Sequence, residues 1–135
     1  MQVKPPNDFA PHFRKSPVTD PWEPLYSRWL DGALQIGLNI RPAHCNSRGF
    51  LHGGVVAALA DNAIGLSCGK AEPAVPELVT LSLSVDYAGS ADVGQWLQIE
   101  PRVLKAGRSM RFGDALVTAD GAVVARASAT LRVVE

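Results

Sequence analysis

The chain has 135 residues, 47% hydrophobic and 19% charged, and its 13 Lys+Arg balance 13 Asp+Glu for a formal charge of zero. This length suits one domain that buries a core without staples, and the composition is that of a globular chain. There is no basic field to attract nucleic acid and no apolar run near the ~18 residues of a membrane span or signal segment, and Cys45 and Cys68 have no metal-ligand spacing, so a reduced, cytoplasmic chain is expected.

Residues 1–24 hold six of the ten prolines and read as an extended arm, which leaves 25–135 as a single domain. Trp22, Leu25, Tyr26, Trp29 and Leu30 recur at spacings of three and four, which predicts a helix with Asp20 as N-cap and Pro21 at its first position. Leu34, Ile36, Leu38 and Ile40 alternate with other residues, so Ala33–Ile40 reads as a strand. A Pro, Asn, Ser and Gly-rich loop covers Arg41 to Gly49. Gly53–Gly69 is apolar, Ala-rich and free of proline, which predicts a long helix. Its bulky face carries Val55, Val56, Leu59, Ala63 and Leu66. Gly54, Ala57, Ala58, Gly65 and Cys68 gather opposite, around Asp61.

The remainder reads as strands. Val79, Leu81, Leu83, Val85 and Tyr87 alternate with Thr80, Ser82, Ser84 and Asp86. Ala106-Gly107 and Asp120-Gly121 mark hairpin turns between Trp96–Lys105, Ser109–Thr118 and a last strand from Val123 to the end. Short hairpins imply an antiparallel sheet, and its apolar face needs a helix against it, so the expected class is α+β.

Chemistry concentrates between Asn46 and Asp61. An Asp in the middle of an apolar helix is costly unless hydrogen-bonded or hydrated, and it points to function more than to structure. On residue type alone Asn46 is a loop residue, His52 an even choice between helix-end and functional roles, and Gly53-Gly54 an even choice between tight turn and site. Lys105 and Arg108 read as solvated hairpin charges, and Cys68 as a small core residue. His12 and His44 have no partner at a recognisable spacing.

Taken together, Asn46, then His52-Gly53-Gly54 six residues on, then Asp61 nine after the His resembles the hotdog-fold acyl-CoA thioesterases of the phenylacetate-degradation-related (PaaI-like) group. The resemblance runs from about Ala33 to Val134 and leaves the arm outside. It implies an antiparallel sheet wrapped around a long helix, and hydrolysis of an aryl or medium-chain acyl-CoA. It implies no metal and no cofactor beyond the coenzyme A of the substrate. It also implies sites at the interface of an obligate homodimer, and commonly a dimer of dimers. By alignment it carries the water-positioning role to Thr80, with Ser82 as the fallback. It lays coenzyme A along Lys105, Gly107, Arg108 and Ser109, with Tyr87 nearby.

The chemistry fits these positions. Free N–H groups at a helix start, aided by the helix dipole, suit a developing oxyanion, so the N–H of Gly53 or Gly54 is the candidate donor. His52 would orient the thioester or assist the leaving thiolate. Asn46 would bond the carbonyl or position the water. Asp61 is either a general base, strengthened by desolvation, or a nucleophile. Nine helical residues span ~13.5 Å and turn the side chain to the far face. Asp61 and His52 of one chain therefore do not easily flank one thioester, and a second subunit is expected to supply the acid. Two other readings stand beside this one: a hotdog hydratase or dehydratase, whose His–acid spacing is missing here, and a non-catalytic acyl-CoA-binding module, which has no use for a buried carboxylate.

Overall fold

The computed structural model describes residues 5–135. Seven strands form one antiparallel sheet: β1 (Ala10–Pro11), β2 (Tyr26–Leu30), β3 (Ala33–Asn39), β4 (Leu78–Tyr87), β5 (Trp96–Ala106), β6 (Met110–Ala119) and β7 (Ala122–Val133). Their order is β1-β2-β3-β5-β6-β7-β4. One 18-residue helix, α1 (Gly53–Lys70), lies against β3 to β7, so the sheet wraps it as the hotdog fold requires.

The helix buries a wider arc than its bulky face alone. Val55, Val56, Leu59, Ala60, Ala63, Ile64, Ser67 and Cys68 are all buried, so Cys68 belongs to the core rather than to the face around Asp61. Leu66, placed on the bulky face, is only half-buried. α1 presses close to the sheet at Gly113. A Cβ there would stand 2.7 Å from Ile64 Cγ2 and 3.3 Å from Cys68 Sγ. Ser67 closes the packing from the other side: its Oγ accepts from Leu34 N–H at 2.9 Å and donates to Ala63 O at 2.6 Å.

The helix expected over Trp22–Leu30 is not formed. A single 3-10 turn covers Asp20–Trp22, with Thr19 rather than Asp20 as its N-cap, and the chain then enters β2. The cause is a hairpin. Asp31 (φ 51°) and Gly32 (φ 79°) adopt the same left-handed pair as Asp120 (φ 48°) and Gly121 (φ 86°), and they fold β2 onto β3 with Leu30 opposite Ala33. Sheet pairing overrides the weak helical spacing, and Trp29 and Leu30 stay exposed.

Strict alternation also fails in β4. Thr80 opposes Leu131 and Ser82 opposes Thr130, so Leu81 is the extra residue of a β-bulge. The bulge leaves Leu81 and Ser82 exposed. It turns Thr80 inward, onto the same side as Leu83 and Val85.

The proline-rich arm is held along the sheet over its described part, residues 5–24, and its first four residues lie outside the described residues. His12 N–H donates to Leu25 O at 2.9 Å, and its ring pairs with Ser27 Oγ at 2.9 Å. Phe9 is buried edge-on against Trp96, with ring centroids 5.1 Å apart and the Arg28 guanidinium 4.5 Å above its ring.

Arg111 on β6 closes the other end. It is fully buried at 0% exposure. Its Nη1 donates to Cys68 O at 2.6 Å and Ala71 O at 2.8 Å, its Nη2 to Pro73 O, and its Nε to Gly107 O at 3.1 Å. One guanidinium thus satisfies carbonyls at the α1 C-terminus and ties the β5–β6 hairpin to it. Replacing Arg111 with Met leaves those buried acceptors without a donor. Thermal or urea denaturation of that variant should show a loss of roughly 3 kcal/mol. An unchanged midpoint would contradict the role given to Arg111.

Candidate active site

The expected site residues fall into separate places in one chain. Asp61, in the middle of α1, and Thr80, turned inward by the bulge, meet in a cleft of about 610 Å³ floored by Gly65, Leu66 and Gly69 and walled by Leu78 and Leu131. Thr80 Oγ1 donates to Asp61 Oδ1 at 2.6 Å. This is a short, charge-assisted bond that fixes the carboxylate. Oδ2 has no protein partner among the described residues, so one oxygen is held and the other is open to the cleft. Ser82, the fallback for Thr80, is exposed and does not line this cleft.

Asn46, Gly53 and Tyr87 line a second cleft, of about 350 Å³, at the start of the helix. Asn46 Oδ1 accepts from Arg48 N–H at 2.9 Å and Phe50 N–H at 3.2 Å, which shapes the loop and leaves the side-chain amide as the outward donor. His52 is the N-cap of α1: its Nδ1 accepts from Gly54 N–H at 2.8 Å. An accepting Nδ1 carries no proton, so the neutral ring presents Nε2–H to solvent. Gly54 N–H is thereby engaged, while Gly53 N–H has no acceptor among the described residues. A side chain at either glycine would crowd a neighbouring side chain. A Cβ on Gly54 would lie 2.9 Å from His52 Nδ1, and one on Gly53 would lie 3.0 Å from the Tyr87 ring. Tyr87 donates its hydroxyl to Gly53 O at 2.6 Å, and burial raises its pKa, so it remains a donor.

His44 supports this end from behind. It is buried, its Nδ1 accepts from Arg41 N–H at 3.0 Å, and its Nε2 bonds Trp22 O at 2.9 Å. Desolvation lowers its pKa and keeps it neutral. Its backbone carbonyl receives His52 N–H at 2.9 Å, so it positions His52 without reaching either cleft.

Lys105, Arg108 and Ser109 are exposed at the tip of the β5–β6 hairpin, beside Gly107. Arg111 fixes that tip near the C-terminus of α1, whereas Gly54 and Tyr87 stand at its N-terminus. A helix of 18 residues is ~27 Å long, so one chain does not bring these groups together. Among the described residues, no group of three or more His, Cys, Asp and Glu could hold a metal, and no helix is long and apolar enough to cross a membrane.

Sequence reading missed the residues that finish the clefts. Arg48, which lies 6.0 Å from the Phe50 ring, sits inside the Asn46–His52 segment and could have been noticed there. From sequence the arm and the Trp22–Leu30 segment are expected to wall an acyl pocket, and Phe13, Arg14 and Trp29 do line the Asp61 cleft. Which arm residues reach it depends on strand pairing, and Lys70, in the last turn of α1, carries no local signal for it.

The family model described as Thioesterase superfamily matches residues 48–129. The chain is 36% identical over 124 residues to "Putative esterase PA0474" of Pseudomonas aeruginosa, covering 91% of this chain and 92% of that one. It is 30% identical over 81 residues to human "Acyl-coenzyme A thioesterase 13", covering 60% of this chain and 57% of the relative. Among solved structures, smu.793 from Streptococcus mutans bound to acetyl CoA aligns with a TM-score of 0.70 at 30% identity, covering 76% and 82% of the two chains. The phenylacetic acid degradation protein PaaI from Thermus thermophilus aligns at 0.77 and 23% identity, covering 88% and 100%, a likeness of fold.

The cap geometry gives a measurable expectation. His52→Ala should cost about 1 kcal/mol of stability, and His52→Asp, a better N-cap, should restore it. Equal melting of the wild type and the Ala variant would mean that the His52–Gly54 bond does not hold the helix start.

Proposed function

We propose, for a chain that belongs to the thioesterase superfamily and is a thioester hydrolase, that it cleaves aryl or medium-chain acyl-CoA at two sites, each shared between two subunits of a homodimer. The observation that carries this reading is the open Oδ2 of Asp61, whose other oxygen, Oδ1, Thr80 holds in one cleft. The donors that a thioester needs, Gly53 N–H and the Asn46 amide, face a different cleft. The resemblance to a human acyl-coenzyme A thioesterase and to an acetyl CoA-bound structure supports coenzyme A as the leaving group. In this reading the enzyme works in the cytoplasm, where its two free cysteines, Cys45 and Cys68, stay reduced.

The proposed steps use only groups of the two chains and water. Asp61 Oδ2 removes a proton from a water whose oxygen attacks the acyl carbon. Thr80 keeps the carboxylate aimed. The carbonyl oxygen becomes an oxyanion and is received by Gly53 N–H of the other subunit, at the positive end of α1, and by the Asn46 amide. The C–S bond then breaks, the carbonyl reforms, and the proton passes to the thiolate of coenzyme A, beside His52 Nε2–H. Free acid and thiol leave. Gly54 supports this arrangement through its bond to His52. Tyr87 holds the backbone of Gly53. Lys105, Arg108, Ser109 and the backbone of Gly107 meet the phosphates of coenzyme A from the hairpin. Pairing of dimers into tetramers is part of the same proposal.

Asp61→Asn keeps the shape of the side chain and removes the base. In a thiol-release assay with a panel of aliphatic and aromatic acyl-CoAs, kcat should fall by at least ~10²-fold with KM little changed and the fold intact by circular dichroism. Full activity in that variant would rule out the mechanism.

A further inference from the structure

The two donors assigned to the thioester carbonyl are neutral. Gly53 offers a backbone N–H and Asn46 a side-chain amide. His52 adds no charge while its Nδ1 accepts Gly54 N–H. The oxyanion, in contrast, carries a full negative charge, and a charged donor holds such a group roughly twice as strongly as a neutral one. Among the described residues, Arg48 is the one formally charged group that lines this cleft, and no Asp or Glu lines it to cancel that charge. The geometry of the turn keeps Arg48 close. Its backbone N–H donates to Asn46 Oδ1 at 2.9 Å, so its side chain starts beside the very amide that serves the carbonyl. Asn46 N–H to Phe50 O at 2.8 Å and Gly49 N–H to Asn46 O at 3.0 Å close the turn. The guanidinium lies 6.0 Å from the centre of the Phe50 ring, which walls the same cleft. It makes no hydrogen bond and no ion pair among the described residues, even though Asp92 is bridged to Phe50.

We infer that Arg48 is a further catalytic residue of the thioester cleavage: its guanidinium donates to the carbonyl oxygen, beside Gly53 N–H and the Asn46 amide, as that oxygen becomes an anion. This deepens the acyl-CoA hydrolase reading and rests on it. No proton leaves Arg48. As water oxygen bonds to the acyl carbon, the carbonyl π electrons move onto oxygen and the guanidinium bonds tighten. They relax when the carbonyl reforms and the C–S bond breaks. A contact that strengthens only with this charge acts on kcat and leaves KM nearly alone. Phe50 serves as a platform that keeps the long side chain over the cleft between turnovers. The permanent charge of a guanidinium suits the task, since it does not depend on pH.

The test follows thiol release from the acyl group that the wild type cleaves fastest, carried by coenzyme A and by N-acetylcysteamine, which keeps the thioester and lacks the phosphates. Arg48 is exposed, so Arg48→Gln should melt as the wild type does. Its kcat on the coenzyme A thioester should fall by at least ~10-fold with KM little changed, and kcat/KM on the N-acetylcysteamine thioester should fall by the same factor. Arg48→Lys should keep most of the rate. Added guanidinium ion should restore part of the rate of Arg48→Ala and leave the wild type unaltered. An unchanged kcat in Arg48→Gln overturns the proposal. So does a loss confined to the coenzyme A carrier, which would make Arg48 a phosphate ligand, or a loss in KM alone. A raised apparent pKa in the kcat–pH profile of Arg48→Gln would assign its charge to Asp61 of the other subunit and overturns it too. In all of these the hydrolase reading stands. If the wild type releases thiol from no acyl-CoA, that reading fails and takes this one with it.

Discussion

Eighteen residues of uninterrupted helix, gripped on a wide arc by a curved sheet, fix the distance between the candidate groups of this protein. A helix cannot shorten, and its rotation per residue is constant. Asp61 therefore stays one cleft away from Asn46 and Gly53 whatever the loops do. The close approach at Gly113 and the four carbonyl bonds of Arg111 hold that rod against the sheet, so the separation is built into the core. The site geometry follows from packing before any substrate is considered.

Two local devices adapt this rigid frame to chemistry. The bulge at Leu81 spends one residue of β4 to bring a hydroxyl to Asp61, which regular alternation would have turned away. The N-cap bond from His52 engages Gly54 N–H and leaves Gly53 N–H open, so the donor at the helix start is chosen by the cap. Tyr87, reaching across from the far end of β4, holds the carbonyl of the same glycine. One edge strand thus supports both clefts, Thr80 at one end and Tyr87 at the other.

Much of the fold was legible because its signals are local. Asp120-Gly121 announces its hairpin, and an 18-residue run without proline announces α1. The Asp31-Gly32 turn carried the same signal but was masked by the spacing of Trp22, Leu25 and Trp29, whose hydrophobic periodicity arises from sheet and core packing rather than from a helix. The bulge was not legible, since Val79 to Tyr87 alternate without a break in sequence while the register shifts in space. Arg111 was overlooked because a charged residue in a strand reads as solvent-facing, and only the tertiary fold shows the carbonyls that surround it. For the site, Asn46, His52, Gly53 and Asp61 stood out by their spacing. That Arg14 and Lys70 line the Asp61 cleft depends on how the arm and α1 lie in space, and no spacing encodes that.

The central claim is that each site is assembled from two chains, and subunit mixing tests it most directly. Asp61→Asn disables one half, and Asn46→Asp keeps the turn acceptor of the other half while removing its amide donor. Each variant alone should be inactive. Dissociated and reassociated at equal concentration, random pairing makes about half the dimers mixed, each with one intact site, so about a quarter of wild-type thiol release should return. Activity that remains at the sum of the two separate variants would mean that each chain carries its own complete site.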